Sequence, residues 1–165
     1  MYTYFPPPLT RIFRSIDQTC GAELRRSIER LRMTGLPEAP MISIVDDDVS
    51  VREATKALVR SLGHKVTTYG SAEEFLGSER ISDTCCLITD VQMPGLNGLE
   101  LQGRLIAEGY RIPVIFMTAF PEESARSKAL KAGALGFLSK PFDEDSLLAC
   151  LHLALTNGRA TSPKH

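Results

Sequence analysis

At 165 residues, 43% apolar and 24% charged, the chain is long enough for one domain with a substantial core and an appended arm, and too short for two full domains. Its net charge of -1 excludes a general electrostatic pull toward nucleic acid or anionic membrane, so any partner must be recognised at a site. No apolar run reaches the length of a transmembrane helix, the first 19 residues lack a secretory h-region, and the cysteines (Cys20, Cys85, Cys86, Cys150) are too sparse for a disulfide scaffold, so a cytoplasmic protein with reduced thiols is expected.

Residues 1–40 carry six Arg against Asp17, Glu23, Glu29 and Glu38. The stretch 20–33 can form an amphipathic helix with Leu24, Ile28 and Leu31 on one face; a weakly ordered or partly helical arm is expected. The run Ile42–Val45 then reads as a strand and leads into three acids, Asp46, Asp47 and Asp48. Neighbouring carboxylates beside an apolar core are costly without a compensating cation or donors. Asp48 is explained as the N-cap of the next helix, where Val51, Ala54, Ala57, Leu58 and Leu62 recur at helical spacing and Gly63 closes the segment.

Residues 64–69 predict a second strand, and Ser71-Ala72-Glu73-Glu74 has the form of a capping box opening a short helix to about Gly77. Residues 85–90 read as a buried strand ending on Asp90, with Cys85 and Cys86 on opposite faces and no second Cys or His pair at zinc spacing. The turn-rich 93–98 follows, then a helix from about Leu99 to Glu108. The remaining elements are a strand at 113–119, a helix from about Glu122 to Ala132, a strand at 136–140 and a helix from about Asp143 to Leu155. Five strands alternating with five helices, the strands continuously apolar, predict an α/β fold with a parallel sheet covered on both faces.

In such sheets the functional residues sit at the carboxyl ends of the strands. Those ends carry Asp46 and Asp47, Asp90, Thr118 and Lys140. Oxygen ligands in this number suit magnesium, and a hydroxyl with an ammonium suits a phosphoryl group held by that metal. The two acids left over by the N-cap are therefore read as ligands of a divalent ion.

With "VDDD", "ITDVQMPGLNG", "MTA" and "LSKPF" in this order on successive strands, the chain resembles the receiver domains of two-component response regulators over about Met41 to Leu155. The resemblance implies a flavodoxin-like, doubly wound sheet of strand order 2-1-3-4-5, a receiver at 41–156 and a flexible tail at 157–165. It also implies that Asp90 accepts a phosphoryl group from a histidine kinase or phosphotransfer protein. Mg2+ would be held by Asp46, Asp47, Asp90 and the backbone carbonyl of Gln92, whose side chain is expected to tune hydrolysis. Thr118 would bond a phosphoryl oxygen, Lys140 would pair with the acceptor and then the phosphate, and Phe137, where Tyr is commoner, would rotate inward as a switch. Such a domain is a signalling module that catalyses only its own phosphorylation and slow dephosphorylation.

The basic residues Arg126, Lys128 and Lys131 are read as a solvated face of the fourth helix. A downstream protein is expected on the surface made by the fourth helix, fifth strand and fifth helix. The fragments at 49–63 and 133–148 are most like receivers that precede a LuxR-type DNA-binding domain, but only ten polar residues follow the last helix here. A stand-alone receiver without direct DNA or membrane contact is expected, with phosphorylation-dependent homodimerisation left open. A second class of function also fits the first strand: Asp46-x-Asp48-Val49-Ser50 resembles the motif of haloacid dehalogenase-type phosphohydrolases, with Asp46 as nucleophile. The want of further acids after the fourth strand argues against it.

Overall fold

The apolar runs form five strands: β1 (Met41–Val45), β2 (Lys65–Tyr69), β3 (Thr84–Asp90), β4 (Val114–Thr118) and β5 (Gly136–Ser139). Between and after them lie α1 (Val49–Ser61), α2 (Ala72–Leu76), α3 (Gly98–Ala107), α4 (Glu123–Lys131) and α5 (Glu144–Arg159). The computed structural model describes residues 39–159 and, before them, Arg26 alone. The expected amphipathic helix with Leu24, Ile28 and Leu31, and the last residues of the tail, lie outside the described residues.

All strand pairs are parallel, and the order is β2-β1-β3-β4-β5, as the sequence implied. The direction of winding reverses at β1, so a crevice opens beyond the carboxyl ends of β1 and β3. Alternate strand residues feed two cores. Val45, Leu87, Val114 and Phe116 pack with Phe75, Leu101 and Ala129 on one face. Ile42, Ile44, Ile88, Ile115 and Met117 pack with Val59, Leu147 and Leu151 on the other. Each of these fully buried aliphatic side chains contributes about 1.5–3 kcal/mol relative to exposure, which pins the register of the strands and hence what stands at their ends.

Local chemistry fixes the element ends. Asp48 caps α1, its Oδ1 accepting from the amides of Ser50 and Val51 at 2.8 and 3.2 Å, and Gly63 follows the helix at φ +89°, a conformation disfavoured for side chains with a Cβ. The expected capping box of α2 is half formed. The Ser71 hydroxyl accepts from the Glu74 amide, but the Glu74 carboxylate turns back one residue further, to the Gly70 amide at 2.7 Å. A complete, reciprocal box is present instead at Asn97 and Glu100, opening α3. Helix α5 runs to Arg159, beyond the expected end at Leu155, with the Thr156 hydroxyl donating to the His152 carbonyl at 2.7 Å.

One further difference bears on chemistry. Cys86 is buried as expected, and burial pushes its thiol pKa well up; Cys85 is exposed, because the register between β1 and β3 shifts so that Met41 and Ile42 face Thr84 and Cys86 and leave Cys85 as the extra residue of a bulge. Helix α4 buries a single residue, Ala129, whose carbonyl accepts from the Ala134 amide at 3.0 Å and, at 3.4 Å, from the side-chain amide of the buried Gln102 on α3. Arg126, Lys128 and Lys131 are all exposed on it. Among the described residues no helix is long and apolar enough to cross a membrane.

Candidate functional site

Strand β1 ends at Val45, and the backbone continues the ladder for one more residue, the Asp46 amide donating to the Tyr69 carbonyl at 3.2 Å. This holds the Asp46 side chain in the sheet edge, fully buried, while Asp47 emerges exposed. Asp90 is the last residue of β3 and lies opposite Met117 of β4; it is 7% exposed. Lys140 follows β5, two strands away from β3. Its amide donates to the Thr118 carbonyl at 2.7 Å, and its peptide bond to Pro141 is cis.

The Lys140 side chain spans that distance. Nζ donates to Asp46 Oδ2 and to Asp90 Oδ2, both at 2.8 Å. The remaining carboxylate oxygens take backbone donors: Asp46 Oδ1 accepts from the Asp48 amide and Asp90 Oδ1 from the Gln92 amide, each at 2.9 Å. Among the described residues no donor reaches the carboxylate of Asp47. Ligand oxygens of Asp46, Asp47 and Asp90 lie within 4.8 Å of one another. Magnesium takes hard oxygen ligands at about 2.0–2.1 Å, and three carboxylates gathered at one sheet edge are a donor set that suits it.

Charge is arranged to match. Burial raises the pKa of Asp46; the hydrogen bond from Lys140 and that from the Asp48 amide pull it back, and burial wins. Burial also pushes Lys140 down, but its hydrogen bonds to Asp46 and Asp90 outweigh that and its pKa is raised, so it is an ammonium at neutral pH. One ammonium thus serves two carboxylates while a third stands free. Lys140→Met is expected to destabilise the domain by about 2 kcal/mol, because Asp46 and Asp90 are left together without their shared donor. Urea unfolding in metal-free buffer checks this, and an unchanged or raised midpoint would show that the ammonium is not holding the edge together.

The structure therefore brings together Asp46, Asp47, Asp90 and Lys140. The hydroxyl of Thr118, at the end of β4, is turned to its own loop, accepting from the Phe120 amide at 3.1 Å and donating to the Phe120 carbonyl at 3.2 Å. Phe137 on β5 is half-buried against Phe116, with ring centroids 6.2 Å apart. The Gln92 side chain is exposed and lines an open groove of about 520 Å³ with Pro94, Asn97, Phe120 and Lys128. Asp46 is fully buried and Asp48 is a helix cap, so the Asp46-x-Asp48 pair is not presented as a phosphohydrolase nucleophile and its acid.

Two elements went unread in the sequence. Arg52, on the first turns of α1, donates from Nη1 to the Asp46 carbonyl at 2.6 Å. Glu73 of α2 accepts from the Leu96 amide at 2.8 Å, tying down the loop after β3, and that hydrogen bond lowers its pKa. An Arg in a helix and a Glu in a cap look like ordinary surface residues until tertiary structure shows what they reach.

Comparison with known proteins agrees with this geometry. Residues 42–152 match the family described as the response regulator receiver domain. The chain is similar to the response regulator protein TodT of Pseudomonas putida, at 44% identity over 117 residues covering 71% of this chain and 52% of TodT. It is also similar to the transcriptional regulatory protein FixJ of Azorhizobium caulinodans, at 40% over 120 residues covering 73% of this chain and 57% of FixJ. Among solved structures, the response regulator StyR aligns with a TM-score of 0.69 and 41% identity, over 74% of this chain and 62% of StyR. FixJ-N aligns with a TM-score of 0.66 and 30% identity, over 72% of this chain and 95% of FixJ-N. The chain spans about half the length of the relatives named here, TodT and FixJ. With the strand order, the buried acids and these likenesses in agreement, the chain belongs to the receiver domains of two-component response regulators.

Proposed function

We propose that Asp90 accepts a phosphoryl group from a phosphohistidine, and that Asp46, Asp47, Asp90 and the Gln92 carbonyl hold Mg2+ for that transfer. The observation that carries the reading is the sharing of one Lys140 ammonium between Asp46 and Asp90, with Asp47 free beside them. A carboxylate oxygen of Asp90 forms the new P–O bond as the donor's P–N bond breaks, and the leaving nitrogen keeps the electron pair. The Gln92 amide fixes the carboxylate for attack, and Lys140 follows the charge from carboxylate to phosphoryl oxygen. Bound magnesium would neutralise charge on the equatorial oxygens.

Thr118 exchanges its hydrogen bond to Phe120 for one to a phosphoryl oxygen. This differential contact biases the loop before α4, and the half-buried Phe137 follows. The domain catalyses no more than its own phosphorylation and slow dephosphorylation. It signals through a protein bound on the face made by α4, β5 and α5, where Leu130 stays 45% exposed, without itself touching DNA. The receiver unit begins at Met41 and takes in the whole of α5, which ends at Arg159 rather than before 156.

The experiment is labelling with acetyl phosphate, with and without Mg2+, followed by borohydride reduction of the acyl phosphate to homoserine and peptide mass mapping. One modified residue, Asp90, appearing only with Mg2+, is the expected result. Modification at Asp46 or Asp47, or none on folded protein, overturns the assignment.

A further inference from the structure

We infer that Arg52 is a positioning residue for the metal ligands, holding the peptide unit between Asp46 and Asp47 in the orientation from which both acids face one ion. The inference rests on the reading of those acids as Mg2+ ligands. Nη1 of Arg52 donates to the Asp46 carbonyl at 2.6 Å. That carbonyl and the Asp47 amide belong to one planar peptide unit, so fixing the carbonyl fixes the plane from which Asp47 leaves the backbone. The other side of Asp46 is already held by its amide, bonded to Tyr69.

Asp47 needs such help. Its side chain is exposed and, among the described residues, takes no hydrogen bond, unlike Asp46 and Asp90, whose oxygens are each engaged. Its direction rests on its rotamer and on the backbone, and Arg52 is the side-chain donor that holds the carbonyl of that backbone, beside the Asp48 amide bonded to Asp46 Oδ1. The guanidinium also lies against the turn after β2: a Cβ built on Gly70 would come 3.5 Å from Nη1. Arg52 therefore spans the turns after β1 and after β2, the two that border the acids on that side.

Its place in the helix points the same way. The first turn of α1 has no acidic residue, and Arg52, whose amide donates to the Asp48 carbonyl at 2.9 Å, sets a positive charge near the positive end of the helix dipole. That is unfavourable for the helix itself, so the residue is explained by what it touches rather than by α1.

The test is the Mg2+ dissociation constant of the full chain. Calorimetry is the readout, because the chain has no Trp for intrinsic indole fluorescence. Arg52→Met, which keeps the aliphatic stem, is expected to bind Mg2+ about tenfold more weakly, in the range seen when partners of metal ligands are removed. Arg52→Lys, with one donor restored, should recover to within about threefold of wild type. Phosphorylation by acetyl phosphate should be slow in Arg52→Met at limiting Mg2+ and return to the wild-type rate at saturation. Folded Arg52→Met with unchanged Mg2+ affinity, or Arg52→Lys no better than Arg52→Met, overturns the role of Arg52 and leaves the metal site standing. If Arg52→Met does not fold, Arg52→Gln serves in its place with the same criteria. Absence of Mg2+ binding by the wild type overturns both the site and this inference.

Discussion

Asp90→Asn is expected to abolish labelling by acetyl phosphate while leaving the domain folded. An amide carries no charge with which to attack phosphorus, and neither neighbouring acid is placed to replace it: Asp46 is fully buried where Asp90 keeps an edge open to solvent, and Asp46 and Asp47 both lie beyond the end of a different strand. The fold should survive because Asn can still accept from the Gln92 amide, and Lys140 keeps Asp46. Lys140 loses one of two carboxylate acceptors, but three acids around one ammonium become two, so loss and relief of repulsion nearly cancel. We expect a thermal midpoint within about 4 °C of wild type, near 1 kcal/mol for a domain of this size. A phosphate-affinity gel and a circular dichroism melt suffice. Undiminished labelling of the variant would remove Asp90 from its proposed role.

A second large effect is expected where no charge is involved. Gly98 opens α3, its amide donating to the Val91 carbonyl at 3.0 Å. A Cβ there would collide with the Asp90 carbonyl oxygen and come within 3.2 Å of the Phe116 ring. Backbone and a fully buried ring cannot give way cheaply, so Gly98→Ala should cost about 3 kcal/mol and lower the midpoint by about 10 °C. Because the collision is with Asp90 itself, the surviving protein should also phosphorylate about 100-fold more slowly, the scale set by an ångström of misplacement at a reacting group. Gly103→Ala is the control. It sits on the same helix with nothing within 4 Å of its added Cβ and should stabilise by up to about 1 kcal/mol. Equal effects of the two substitutions would refute the packing argument.

Much of this was legible before any coordinates. The alternation of continuous apolar runs with helical spacing gave the parallel sheet, since two-sided burial is what such runs require. With strands ending near Val45, Asp90, Ala119 and Lys140 in the sequence, the acids, Thr118 and Lys140 have to meet at one edge. Asp48 could be set apart as a cap because capping is local chemistry. Longer-range connections were not legible. That the Glu74 carboxylate reaches Gly70 rather than its own cap, that Glu73 ties the loop at Leu96, and that Arg52 grips the Asp46 carbonyl depend on where separate elements come to rest. The exposure of Cys85 was hidden for a related reason: a bulge is a mismatch between two strands, and neither strand's sequence contains it.

Helix α4, with Ala129 as its single buried residue and a long 3.4 Å hydrogen bond from Gln102 to that residue's carbonyl, is the helix with least to lose by moving. A signal that had to dislodge α1 or α3 would work against larger buried side chains, Val59 in the one and Leu101 and Leu105 in the other; one that shifts α4 works against the methyl groups of buried Ala129 and half-buried Ala125 and one weak donor. Native-state amide exchange should therefore find the backbone of α4 opening at lower free energy than that of α1, and equal protection of the two would contradict this. The switch would then need only a small difference in contact energy at Thr118. Communication across the domain would be limited by how weakly its receiving helix is fastened, rather than by how strongly the phosphoryl group pulls.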